Sequence, residues 1–111
     1  MRELLATALR MSGYRVRTAA DGLAGLRLLE AYEPDVVILD LGLPVATGFD
    51  VLNDLRAVAK TRLTPVIAIS GMDEHLKVAR ENPEFMVTIP KPFEPDMLVR
   101  AVDRALRQNL V

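Results

Sequence analysis

The run Val36-Val37-Ile38-Leu39 is apolar at every position and stops on a carboxylate, Asp40. A strand that alternates polar and apolar residues can leave one face in water, but a strand without alternation needs cover on both faces. The run therefore predicts a central strand of a parallel sheet with helices on either side. Pro65-Val66-Ile67-Ala68-Ile69-Ser70 predicts a second strand of the same kind. Parallel neighbours cannot be joined by a tight turn, so crossover helices must lie between them.

The remaining periodicity supplies those helices. Residues 2–11 place Leu4, Leu5, Ala8 and Leu9 on one helical stripe, and Gly13 is placed to end that helix in a left-handed cap. Tyr14 to Ala19 reads as a strand. Asp21 can cap a second helix, whose apolar face runs through Leu26 and Leu29 up to Tyr32, and Pro34 ends it. A loop with Pro44 and Gly48 leads into a helix around 49–59 carrying Val51, Leu52 and Leu55. A short helix is expected over 73–81 and a strand near 85–89. An amphipathic helix over 95–109 turns Met97, Leu98, Ala101, Val102, Ala105 and Leu106 inward. Alternation of the two periods along the whole chain predicts an α/β fold.

The chain's 111 residues suffice for one core, so residues 1–111 are expected to form a single domain. Fourteen basic and fifteen acidic side chains nearly cancel, which leaves no bulk charge to draw the protein onto nucleic acid or an anionic membrane. Direct nucleic-acid binding is not expected. The absence of cysteine excludes disulfides, thiol nucleophiles and thiolate metal sites, and is compatible with a reducing cytoplasm. No apolar stretch is long enough to span a bilayer, and Met1-Arg2-Glu3-Leu4-Leu5 carries no signal-peptide pattern. The expectation is a soluble, unexported cytoplasmic chain.

Open parallel sheets gather functional groups at the carboxyl ends of their strands. Three polar residues fall there: Asp40, Ser70 and, just past the third strand, Lys91 between Pro90 and Pro92. Their chemistry is complementary. A carboxylate can attack a phosphoryl group, a hydroxyl can donate a hydrogen bond to it, and an ammonium can neutralise its charge. Each also has a plainer reading. Asp40 can serve as a turn or cap aspartate, and Ser70 before Gly71 is common turn chemistry. Lys91, held between two prolines, is more constrained than a solvated lysine. His75, in the polar segment Asp73-Glu74-His75, has no second histidine or cysteine nearby and makes a poor metal ligand.

The segment Asp35 to Pro44, with Gly48 eight residues after Asp40, resembles the phosphoacceptor region of bacterial two-component receiver domains. Val66-Ile67-Ala68-Ile69-Ser70 is similar to the strand that bears the family's hydroxyl, and Lys91-Pro92-Phe93 to its lysine-proline signature. Ala20-Asp21-Gly22 is a weaker match, so the resemblance spans essentially the whole chain. It implies a flavodoxin-like three-layer sandwich whose parallel strands follow the family order 2-1-3-4-5. It further implies that Asp40 takes a phosphoryl group from a histidine kinase or phosphotransfer protein and signals by conformational change. Ser70 and Lys91 would contact the phosphoryl oxygens, and the Lys91–Pro92 bond would be cis. Mg2+ would be held in part by Asp40 and the backbone carbonyl of Gly42. By the same likeness the chain is no conventional enzyme, its chemistry being at most self-phosphorylation and autodephosphorylation on Asp40. Its further partners would be an effector protein or a second copy.

The departures from the family are as specific. Family members begin with an apolar strand ending in an acidic pair that completes the magnesium site, whereas Met1 to Leu5 already matches the first helix. The chain is thus expected to be N-terminally truncated relative to the family, with the first strand and acidic pair missing. Glu3, on a helix, would not restore octahedral oxygen geometry. Magnesium binding is expected to be weak, and phosphorylation of this polypeptide as it stands weak or absent. About five buried apolar side chains would be lost, at roughly 1.5–3 kcal/mol each. That is comparable with the total stability of a small domain, about 5–15 kcal/mol. We expect the natural protein to begin upstream; alternatively, strand 14–19 shifts into the slot or another chain fills it.

Thr88 stands at the switch position, three residues before Lys91, where many members carry an aromatic ring, so the switch is expected to be muted. Asn82-Pro83-Glu84-Phe85 replaces a small-residue turn on a face that commonly docks partners, and Gly42 and Met72 match positions that tune phosphoryl lifetime. Two rival readings stand. A haloacid-dehalogenase-type phosphatase needs an acid two residues after its nucleophile, where this chain has Gly42, and a cap domain that 111 residues do not accommodate. A phosphorylation-independent receiver-like interaction module would bind through the last helix and strand.

Overall fold

The computed structural model describes residues 2–20, 22–41, 48–58, 61–71, 73–83 and 85–108. Helices and strands follow in the order α1 (Arg2–Met11), α2 (Gly22–Ala31), β1 (Val37–Asp40), α3 (Gly48–Ala57), β2 (Val66–Ser70), α4 (Asp73–Glu81), β3 (Phe85–Pro90) and α5 (Pro95–Gln108). Gly13 ends α1 as its position suggests. It adopts φ 97°, a region open to glycine at little cost, while Gly13 N–H donates to Arg10 O at 3.0 Å and Tyr14 N–H to Leu9 O at 3.2 Å. Proline opens α5, where a missing N–H costs nothing, and Asp96 and Arg107 lie in the first and last turns, where they complement the helix dipole.

Three parallel strands form the sheet in the order β1-β2-β3. Every residue of β2 is buried, as its unbroken apolar composition requires. Val66 and Ala68 join one cluster with Leu39, Val51, Leu52, Leu55 and Ala79. Ile67 and Ile69 join another with Leu5, Leu9, Leu98, Val102 and Ala105. The period of two thus splits β2 between two helical layers, α1 with α5 on one face and α3 with α4 on the other. A register shift at Val66/Ile67 sets Phe85 opposite Val66 and Val87 opposite Ile67. The extra residue, Met86, turns the strand so that Phe85 and Val87 reach opposite clusters despite their spacing of two.

The turn from α3 into β2 is locked by polar groups. Thr61, 1% exposed, donates from Oγ1 to Leu55 O at 2.6 Å. Arg56 Nη1 donates to Thr61 O at 2.9 Å and Thr64 O at 2.8 Å. Carbonyls left over at the end of α3 and in the loop are thereby paired.

Several expectations need correction. Tyr14–Ala19 is not a strand: among the described residues it joins no ladder. Its alternation is real, since Tyr14 and Val16 pack against the α1/α5 cluster and Arg15 and Arg17 are exposed, but a strand also needs a neighbouring edge. Arg10 Nη2 donates to Val16 O at 3.3 Å, and the Arg17 guanidinium lies 4.5 Å from the Tyr32 ring centroid. β1 is not central either. Its one ladder among the described residues is with β2, and Val37 and Ile38 are only half-buried. Leu4 and Met97, expected inward, are 60% and 51% exposed, because the seam between α1 and α5 runs instead through Leu5, Leu9, Leu98, Val102 and Ala105. Asp21, Gly42, Pro44, Met72 and Glu84 lie outside the described residues, as do the side chains of Glu3 and His75.

Candidate functional site

Parallel pairing carries the ends of the strands to one rim of the sheet. Asp40 pairs with Ile69, and Ser70 with Pro90, so Asp40, Ser70 and Lys91 arrive there together. Two backbone bonds fix the level: Leu41 N–H donates to Ile69 O at 3.0 Å and Lys91 N–H to Ser70 O at 2.9 Å. Phe93 packs against the α1/α5 cluster and anchors the loop just after Lys91. The Lys91–Pro92 peptide bond is cis.

Of the residues singled out in the sequence, Asp40 and Lys91 are brought into direct contact. Lys91 Nζ donates to Asp40 Oδ2 at 2.5 Å, with the lysine side chain 24% and the aspartate 32% exposed. The pair lies partly in water, so its Coulombic contribution to stability is screened, and an anionic group can reach it from solvent. Ser70 is 1% exposed and is tied to Lys91 through its carbonyl. Thr88 lies further back on β3, half-buried and paired with Ala68, so it belongs to the strand and not to the rim. Sequence reasoning missed the backbone bond between Ser70 and Lys91, which no residue type signals, and the anchoring by Phe93, an aromatic that could have been read as one.

An ammonium beside a carboxylate at the rim suits transfer of an anionic group: the carboxylate offers an oxygen nucleophile, and the cation faces the charge that transfer brings. A divalent cation is less well provided for. Among the described residues no three His, Cys, Asp or Glu side chains converge on one point, and Asp40 Oδ2 already accepts from Lys91. Magnesium demands near-ideal octahedral oxygen coordination, and the described side chains do not build it. No described helix is long and apolar enough to cross a membrane.

Comparison with known proteins gives a consistent picture. A family model described as the response regulator receiver domain matches residues 1–103. The transcriptional regulatory protein KdpE of Mycobacterium tuberculosis is 39% identical over 102 residues, covering 91% of this chain and 44% of that protein. The chain thus spans less than half the length of this relative. Among solved structures, the chemotaxis response regulator CheY4 of Vibrio cholerae superposes with a TM-score of 0.84 at 29% identity, covering 95% of this chain and 88% of that one. The receiver domain of sensor histidine kinase PA1611 from Pseudomonas aeruginosa PAO1 holds a magnesium ion in its active-site cleft. It superposes with a TM-score of 0.80 at 31% identity, covering 94% of this chain and 86% of that one.

Proposed function

This chain belongs to the response regulator receiver domain family, and from that premise we propose that Asp40 is its phosphoryl acceptor, charged by the phosphohistidine of a histidine kinase or phosphotransfer protein. The observation that supports the reading best is the Lys91 ammonium set on the Asp40 carboxylate at the carboxyl end of the sheet. An oxygen of Asp40 attacks phosphorus, the P–N bond to the donor imidazole breaks, and the histidine leaves with its electron pair. An acyl phosphate remains on Asp40. Lys91 moves from carboxylate to phosphoryl oxygen, and Ser70 donates its hydroxyl to another, so that charge crossing the rim is met by groups already in place.

Phosphorylation of Asp40 ends the ion pair seen in the resting protein, and the rearrangement at the ends of β2 and β3 is the signal read by an effector protein or a second copy. Thr88, in place of a bulky ring, limits how far β3 side chains take part. Incubation with acetyl phosphate and Mg2+, followed by intact mass, tests the proposal: one phosphoryl adduct is expected in a version extended at its N-terminus, at most a weak one in the chain as it stands, and none in Asp40→Asn.

A further inference from the structure

The glycine at position 71 is not explained by its backbone. Among the described residues Gly13 is the glycine with positive φ, so Gly71 holds a conformation open to any L-residue. What sets Gly71 apart is what lies over it. A Cβ built on Gly71 would stand 3.7 Å from Cβ and 3.9 Å from Cδ of Lys91, and among the described residues, its chain neighbours aside, nothing else comes within 4 Å. The lysine stem therefore runs lengthwise across the glycine. Its root is fixed by the bond from Lys91 N–H to Ser70 O, and its tip by the contact with Asp40.

From this we infer that Gly71 is a positioning residue for Lys91, its missing side chain being the space through which the ammonium reaches Asp40. The inference rests on the phosphoacceptor reading for its functional meaning, but not for its geometry. A methyl group at 71 would meet the stem at ordinary van der Waals distance. A γ carbon reaches about 1.5 Å further, well inside the roughly 3.5–4.0 Å that carbon atoms favour. A β-branched side chain fills two of the three staggered positions, so it presses on the stem and lifts the ammonium away from the carboxylate. The side chain at 71 thus sets the reach of Lys91 without touching the phosphoryl group.

The chain has three lysines, Lys60, Lys77 and Lys91, so nitrogen-detected NMR of lysine Nζ gives three signals, and Lys91→Ala identifies the one of interest. In Gly71→Ala this signal should keep its ion-paired position. In Gly71→Val it should move toward that of solvated lysines, with phosphoryl uptake from acetyl phosphate falling roughly tenfold or more, as expected for a charged group moved by about an ångström. In a Lys91→Ala background Gly71→Val should cost nothing further. Gly71→Thr carries the same branch in a polar side chain and replaces the valine variant if that does not fold. An unmoved Lys91 signal in the branched variants, or an equal loss of uptake with Lys91 already removed, overturns the inference. Absence of uptake in both the chain as it stands and its N-terminally extended form contradicts the phosphoacceptor reading instead, and the Lys91 signal then still decides the role of Gly71.

Discussion

Lys91 and Asp40, 51 residues apart in the chain, meet through a 2.5 Å contact between Nζ and Oδ2. The contact is long-range in sequence. The carboxylate is carried to the rim by the β1–β2 register and the ammonium by the β2–β3 register, so the contact reports that both ladders are correctly formed. Charge-assisted bonds of this kind are short. Partly exposed, this one is expected to contribute more to the proposed chemistry of the rim than to the stability of the fold.

Replacing Lys91 by Met should separate those two roles. Loss of a preorganised group that faces developing charge costs about 10²–10³ in rate, whereas a screened pair contributes about 0–1 kcal/mol to folding. Uptake from acetyl phosphate should therefore collapse while the urea midpoint barely moves.

The centre of β2 is where the fold is most sensitive. Ile67 is 0% exposed, and Ile67→Ala should destabilise by about 2–5 kcal/mol through lost burial and the cavity left behind. Leu63, 83% exposed, should change stability by no more than about 0.5 kcal/mol when replaced by Ala. Urea denaturation of both variants checks the contrast.

Thr61 tests the polar lock between α3 and β2. Thr61→Val keeps the shape but removes the donor to Leu55 O, leaving a buried carbonyl without that partner, at a cost of about 1–3 kcal/mol. A shift in the denaturation midpoint without a change in its slope is the expected result.

The outer edge of β1 offers a fourth test. Among the described residues it has no ladder partner, and Val37 and Ile38 stay half-buried. We propose that this edge accepts a further parallel strand, so that a version of the chain extended at its N-terminus by an apolar strand gains burial there. Burial of even two more apolar side chains at roughly 1.5–3 kcal/mol each raises the melting temperature of a domain this size by about 10 °C or more. Equal melting temperatures would count against that proposal.

The same edge shows what the sequence could and could not convey. Unbroken apolar composition predicted full burial for both inner strands. That holds for β2, which has neighbours on both sides, and fails for β1, because composition reports what a segment can bury and not which partner is present. Tyr14–Ala19 went wrong for the related reason that its alternation describes one apolar face, while a ladder requires a second backbone. Asp40, Ser70 and Lys91 were legible because apolar runs end abruptly on them, and strand ends in a parallel sheet converge. The Arg56–Thr61 lock and the seat of Lys91 over Gly71 were not, since each depends on how loops fold back in space.

The central claim is that Asp40 carries the phosphoryl group, and intact mass after incubation with acetyl phosphate and Mg2+ tests it most directly, run on the native sequence, on its upstream-extended form and on Asp40→Asn versions of each. The account predicts a single phosphoryl adduct, strong in the extended form and weak or absent in the chain as it stands, that disappears with Asp40→Asn. No adduct in either native form, or an adduct that persists in Asp40→Asn, would contradict it.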